Sequence, residues 1–194
     1  MKKLGFVVFM LAMALMLGGN ALAQNVGDSS TYFVTYYSNA NTTGAPDGTV
    51  RIVNDGDTGT GNAGNLWAAF YVFDDSQELQ DCCACEITPD GLLSESVDTQ
   101  LTAYAITGKK PTRGVIKVIS SSSSDPTAPA PVAGLRAWST HIQAAAKGAY
   151  AITETKFADA NLGAGEEALL GQLCYYDSLL SGLPCTCTPE DHDF

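Results

Sequence analysis

Positive charge is scarce in this chain of 194 residues: ten Lys and Arg stand against 21 Asp and Glu, a formal charge of −11. Such an excess repels phosphate backbones and anionic headgroups, which argues against nucleic-acid binding and against docking on a membrane surface. Long apolar runs are missing too. The longest, Leu4 to Leu17, falls short of the roughly 20 residues a helix needs to cross a bilayer. The glycine-flanked serine of a nucleophile elbow, Gly-x-Ser-x-Gly, is absent. The pairs Cys83/Cys85 and Cys185/Cys187 are spaced Cys-x-Cys, not the Cys-x-x-Cys of a zinc knuckle. No internal repeat is evident, and no cysteine precedes Cys82, so none lies near the N-terminus to carry a lipid anchor. The Gly/Glu pattern of a type IV pilin leader is missing as well.

What is present at the N-terminus reads as an export signal. Lys2 and Lys3 form a positive start, Leu4 to Leu17 an apolar stretch, and Gly18, Gly19 and Asn20 break it. Ala21-Leu22-Ala23 puts small residues at the two positions a signal peptidase reads, which predicts cleavage before Gln24. Residues 1–23 are thus expected to be removed, leaving 24–194 as a single β-rich, disulfide-stabilised domain. Eight Lys and Arg then face 21 Asp and Glu, a charge of −13. No later segment is apolar enough to span a membrane, so the expected destination is the periplasm, the cell surface or the medium.

Strand signals dominate the remainder. Thr31–Tyr37 sets Tyr32, Val34 and Tyr36 on one face and Phe33 and Tyr37 on the other, and Thr49–Val53 alternates cleanly. Trp67–Phe73 is apolar throughout, as in a central strand covered on both faces. Gly114–Ser120 and Ala149–Thr155 complete the clear set. Gln77–Cys85, Leu101–Ile106 and Leu135–Ile142 carry weaker strand signals, and the last of these also fits a helix. Stretches 41–48 and 54–65 are loops by composition. Residues 120–131 (SSSSSDPTAPAP) read as a low-complexity loop, extended and exposed. Near the C-terminus, Glu166 and Glu167 suit the first turn of a helix. Leu162, Leu169, Leu173, Tyr176 and Leu180 form one helical stripe, ended by Gly182 and Pro184. The predicted fold is mostly β: an antiparallel, β-sandwich-like single domain with one C-terminal α-helix.

Six cysteines fall in two clusters, Cys82, Cys83 and Cys85, then Cys174, Cys185 and Cys187. An even count in an exported chain reads first as three disulfides, with fifteen possible pairings. Adjacent Cys82 and Cys83 rarely bond to each other because the small ring strains the peptide. In an extended strand Cys83 and Cys85 share a face and Cys82 points the other way. The simplest arrangement joins Cys83 and Cys85 to Cys185 and Cys187, and Cys82 to Cys174. The alternative is a metal site in which Cys83, Cys85, Cys185 and Cys187 offer thiolates to Zn, Cu(I) or an iron–sulfur cluster, although export before folding disfavours the cluster. A redox-active or intersubunit pair is a third use of the same residues.

The run Tyr71-Val72-Phe73-Asp74, Gln77-Glu78-Leu79-Gln80, Cys82-Cys83-Ala84-Cys85 and Ile87-Thr88-Pro89-Asp90-Gly91-Leu92 resembles a segment of uncharacterised exported bacterial proteins, in which a YVFD strand precedes a CCxC–ITPxGL stretch. Thr153–Phe157 and the Leu162–Cys174 helix are similar to that group as well. The resemblance implies a shared exported fold. It implies no catalytic residue and no cofactor.

Other candidates are weaker. Asp55, Asp57 and Asn62 lie in a Gly-rich loop that could offer oxygens to Ca²⁺, but the twelfth position counted from Asp55 is Leu66, where an EF-hand loop needs Glu. Asp74, Asp75 and Glu78 read as a turn after the central strand. Ser139 and His141 invite a hydrolase reading, yet no orienting carboxylate or oxyanion hole can be placed beside them. His192 stands in an acidic tail suited to weak metal binding, and Asn41-Thr42-Thr43 matches a glycosylation sequon. The sequence therefore points first to an exported, non-catalytic structural or interaction module, with a protein partner or self-association as in a surface assembly. The alternatives are a thiolate metal-binding or redox protein and an unrecognised hydrolase.

Overall fold

A computed structural model describes residues 31–56, 64–103, 108–180, 185 and 187. The signal segment, Asp57, Asn62, Gly182, Pro184 and the acidic tail with His192 lie outside the described residues.

Among the described residues, nine strands, β1 (Tyr32–Ser38), β2 (Thr49–Asn54), β3 (Leu66–Asp74), β4 (Leu79–Ile87), β5 (Leu92–Ser96), β6 (Arg113–Ser121), β7 (Leu135–Ala144), β8 (Tyr150–Lys156) and β9 (Ala158–Asp159), precede one long helix, α1 (Ala164–Leu180). They form two antiparallel sheets, ordered β4-β3-β6-β1-β9 and β5-β2-β7-β8. The fold is a β-sandwich-like domain with a C-terminal helix, as the strand pattern predicts. Of the expected strands, β2, β3, β6 and β7 extend by a residue or two, while β1, β4 and β8 start and end one or two residues later than expected. Leu135–Ile142, ambiguous between strand and helix, is strand β7, pinned between β2 and β8. Of the possible strand Leu101–Ile106, residues 104–106 lie outside the described residues, and Leu101 departs from expectation. It closes a single π-helical turn, Val97–Leu101, whose first turn is capped by the Ser96 hydroxyl accepting from the Thr99 amide. Its side chain is fully buried, so its apolar character serves the core rather than a strand.

Burial explains the two kinds of strand pattern. β2 alternates because only its inner face meets the other sheet: Val50 and Ile52 are buried while Arg51 and Val53 are half-buried. β3 is apolar throughout because both of its faces are covered. Ala68, Phe70 and Val72 face the inter-sheet core with Phe33, Ile52, Ile116 and Leu135. Ala69, Tyr71 and Phe73 face a second cluster beneath α1. At the crowded meeting of β3 and β6, a Cβ on Gly114 would overlap the Phe73 carbonyl, which also accepts a hydrogen bond from Tyr37 Oη (3.0 Å).

The chain changes sheet at Phe157. Its amide donates to Ala137 of β7, and three residues on the Ala160 amide donates to Tyr32 of β1, so one continuous segment stitches both sheets together. Phe157 itself is buried between them.

Two expectations give way. The loop at residues 120–131 is exposed over much of its length, as expected, but it is not extended. Ser120 and Ser121 are buried at the end of β6, and the segment doubles back so that Ser122 N donates to Ala130 O and Val132 N to Ser120 O. Local serine and aspartate turns shape it, with Ser121 Oγ accepting from Ser123 N and Asp125 Oδ1 from Thr127 N. Its tip lies against α1, where a Cβ on Gly171 would meet the Thr127 carbonyl. The helix face is the second correction. The side buried against the sheet is Leu170, Gly171, Cys174 and Asp177; of the expected stripe, Leu162 and Leu173 are half-buried against the same cluster, whereas Leu169, Tyr176 and Leu180 are exposed. Periodicity finds a stripe, but the disulfide at Cys174 and the small Gly171 decide which side can approach the sheet.

Candidate functional site

β4 carries three cysteines within four residues, and the pleat separates them. Cys83 and Cys85 face the inter-sheet core, whereas Cys82 lies in the cluster beneath α1. The C-terminal cysteines match this division. Cys82 stands at disulfide-bonding distance from Cys174 on α1, Cys83 from Cys185, and Cys85 from Cys187, with Cα separations of 5.8, 5.3 and 5.4 Å. This is the simplest of the arrangements open from the sequence. Each link joins residues 92 to 102 positions apart, so all three tie the middle of the chain to its end.

The surroundings of the three links differ. Cys82 Sγ lies 3.6 Å from Asp177 Oδ2, in a pocket closed by the helix. Cys83 and Cys185 are buried, and so is Cys85, but its partner Cys187 is exposed and sits 3.5 Å from the Ala84 carbonyl at the edge of the sheet. Cys83 Sγ and Cys85 Sγ are 4.0 Å apart. The sulfurs of Cys83, Cys85 and Cys187 all lie within 4.8 Å of one another, so the structure gathers three of the four residues named for a metal site. Each sulfur is also paired, and thiolate coordination requires those pairs to be opened first.

The helix is anchored at its start by charge. Lys117 Nζ pairs with Glu166 Oε1 (2.6 Å), and Tyr32 Oη donates to the same oxygen (3.1 Å). The Lys117 ammonium holds the Glu166 carboxyl below the ordinary glutamate range. Burial pushes the Tyr32 and Tyr71 hydroxyls well above theirs, so both stay neutral donors; Tyr71 Oη reaches the Pro126 carbonyl (2.7 Å). Neither Asp177 nor this Lys117–Glu166–Tyr32 contact stands out in the sequence, because each joins positions far apart in the chain.

Ser139 and His141 do come together. They share the inner face of β7, with Ser139 Oγ 3.4 Å from His141 Nε2. The pair belongs to a packed polar ladder. Thr35 Oγ1 lies 2.8 Å from Ser139 Oγ, Thr155 Oγ1 lies 2.7 Å from His141 Nε2, and the Tyr36 ring stacks on the imidazole at 4.1 Å between centroids. Ser139 and His141 are 2% and 3% exposed. A serine nucleophile must meet substrate, and this one is enclosed between β1 and β7. Burial holds the His141 imidazole below its ordinary range. The residues serve to join the two sheets at an edge where apolar packing is thin.

The remaining candidates are structural where they are described. Asp55 pairs with Arg136 (2.8 Å). Asp74 Oδ1 accepts from the amides of Ser76 and Glu78, which makes the turn expected after β3, and Asp75 pairs with Arg113. Asn41 Nδ2 donates to Thr102 Oγ1 and to the Pro111 carbonyl, so the sequon amide already holds two loops together.

Among the described residues no helix is long and apolar enough to cross a membrane. No family model matches this chain, and neither does any curated protein or solved structure.

Proposed function

We propose that the chain is an exported, non-catalytic structural or interaction module that works as a subunit of an extracellular or cell-surface assembly. The observation that carries this reading is the covalent clasp. Three cysteine pairs join β4 to α1 and to residues 185 and 187, and such bonds persist where the surroundings are oxidising. The signal-like segment Lys2 to Ala23 supports export, as does the likeness of Tyr71–Leu92 to exported bacterial proteins. An interaction role is supported by the outward side of α1. Leu169, Tyr175, Tyr176, Leu179 and Leu180 are between 48% and 76% exposed on a single helix, an apolar concentration that soluble monomers seldom present to water.

The test is expression of the full-length chain in a bacterium with an intact secretory pathway. Fractionation, N-terminal sequencing and thiol titration are expected to find a product beginning at Gln24, outside the cytoplasm, with no reactive thiol. Size-exclusion chromatography and electron microscopy should then show oligomers or filaments. Cytoplasmic protein with six titratable thiols would end the export reading, and a strictly monomeric particle would end the assembly reading.

A further inference from the structure

We propose that the Cys83–Cys185 and Cys85–Cys187 pairs form one thiol–disulfide exchange site, entered by an external dithiol at Cys187 and relayed inward from Cys85 to Cys83. Exposure sets the point of entry. Cys187 is exposed, whereas Cys82, Cys83, Cys85, Cys174 and Cys185 are 1–4% exposed. Exchange requires a thiolate to reach a disulfide sulfur, so an external reagent opens Cys85–Cys187 first. Proximity sets the next step. The Cys85 sulfur is 4.0 Å from Cys83, close to van der Waals contact, and both lie on the inner face of β4. Cys82–Cys174 lies across the strand, beneath the helix, outside this sulfur cluster.

The chemistry balances with a dithiol as the sole co-reactant. One of its thiolates attacks Cys187 Sγ, the Cys85–Cys187 bond breaks, and Cys85 leaves as a thiolate. Cys85 then attacks Cys83 Sγ; the Cys83–Cys85 bond forms, the Cys83–Cys185 bond breaks, and Cys185 departs and takes up a proton. The second thiol of the reagent resolves the mixed disulfide and frees Cys187 as a thiol. The reagent is oxidised by two electrons to its disulfide, and its two protons end on Cys185 and Cys187. Two disulfides become one. A single two-electron input thus detaches both tail cysteines from β4, while Cys82–Cys174 still holds α1 on the sheet.

The wild-type oxidised protein tests this directly. It is treated with one molar equivalent of dithiothreitol, quenched in acid, alkylated and mapped by mass spectrometry. The relay predicts label on Cys185 and Cys187 together with a peptide in which Cys83 is bonded to Cys85. Label on Cys85 and Cys187 with Cys83–Cys185 intact overturns it, as does first opening of Cys82–Cys174. A second measurement uses Cys85→Ala/Cys187→Ala, in which reduction of Cys83–Cys185 by excess dithiol should slow at least about tenfold for want of the internal thiolate. An equal or faster rate counts against the relay. Either failure leaves export and the three-link clasp standing, because those are read from thiol count and location in untreated protein.

Discussion

The space between the two sheets and the layer beneath the helix are held together by different means. Between the sheets, Phe33, Phe70, Ile52, Ile87, Leu93, Ile116 and Leu135 are all at or below 1% exposure. Full burial of such side chains contributes about 1.5–3 kcal/mol each. The helix, in contrast, buries one large apolar side chain, Leu170, with Gly171, Cys174 and Asp177 beside it. Its other attachments are the Cys82–Cys174 link and the Lys117–Glu166–Tyr32 contact. The contrast teaches that one link, Cys82–Cys174, stands where the helix buries little, while Cys83–Cys185 and Cys85–Cys187 stand at the inter-sheet core. An element added to the outside of a finished sandwich turns much of its apolar surface away from the sheet, and sulfur fixes it with little burial.

The hardest blow to this contrast is complete reduction. In the chain-entropy model the first link closing a loop of about 100 residues stabilises by about 4–5 kcal/mol. The links interleave along the chain, their ends close together on both sides, so a further one closes only a short ring and adds less. We expect reductant to lower the urea midpoint steeply, and Cys85→Ala/Cys187→Ala alone to cost about 2 kcal/mol. Equal midpoints with and without reductant would mean that the inner core needs no clasp.

A finer probe separates the two sides of α1. Leu170→Ala removes the one large side chain buried under the helix and should cost about 2–5 kcal/mol. Leu169→Ser, one residue earlier and 48% exposed, should stay within about 0.5 kcal/mol. Chemical denaturation of the two variants reads the difference, and similar losses would show that the exposed side of the helix is also held.

The smallest effect belongs to the polar ladder at the far edge of the sandwich. Burial keeps His141 from taking a proton that the unfolded chain accepts near its usual value of about 6.5. The stability this contributes is present above that pH and lost as the pH falls through the lowered folded value. His141→Phe should therefore flatten the slope of stability between about pH 7 and pH 5. An unaltered slope in denaturation curves across that range would remove His141 from the account.

Much of the sandwich was legible locally. The alternation in TVRIV marks a strand with one wet face, and the unbroken apolar run WAAFYVF marks one covered twice, because side-chain periodicity reports directly on which faces are buried. β5 went unread. LLSES is short and mixed, and its place beside β2 comes from pairing with Thr49–Val53, about 40 positions earlier. The serine-rich loop misled through composition: its residues suit an extended loop, but they also suit the small turns that fold it back against α1. The cysteines were legible as a set and by face, since the pleat of β4 already parts Cys82 from Cys83 and Cys85.

The identity of most strands, the two-sided covering of β3 and the grouping of the cysteines were determined by the sequence alone, because each depends on neighbours two to four residues away. Which side of α1 meets the sheet, which sulfur lies exposed, and the enclosure of Ser139 and His141 were decided only in the tertiary structure. Those outcomes depend on groups more than thirty positions apart, Gly171 against Thr127, Cys187 beside Ala84, and Thr35 against Ser139. No local pattern encodes a distance across a closed sandwich.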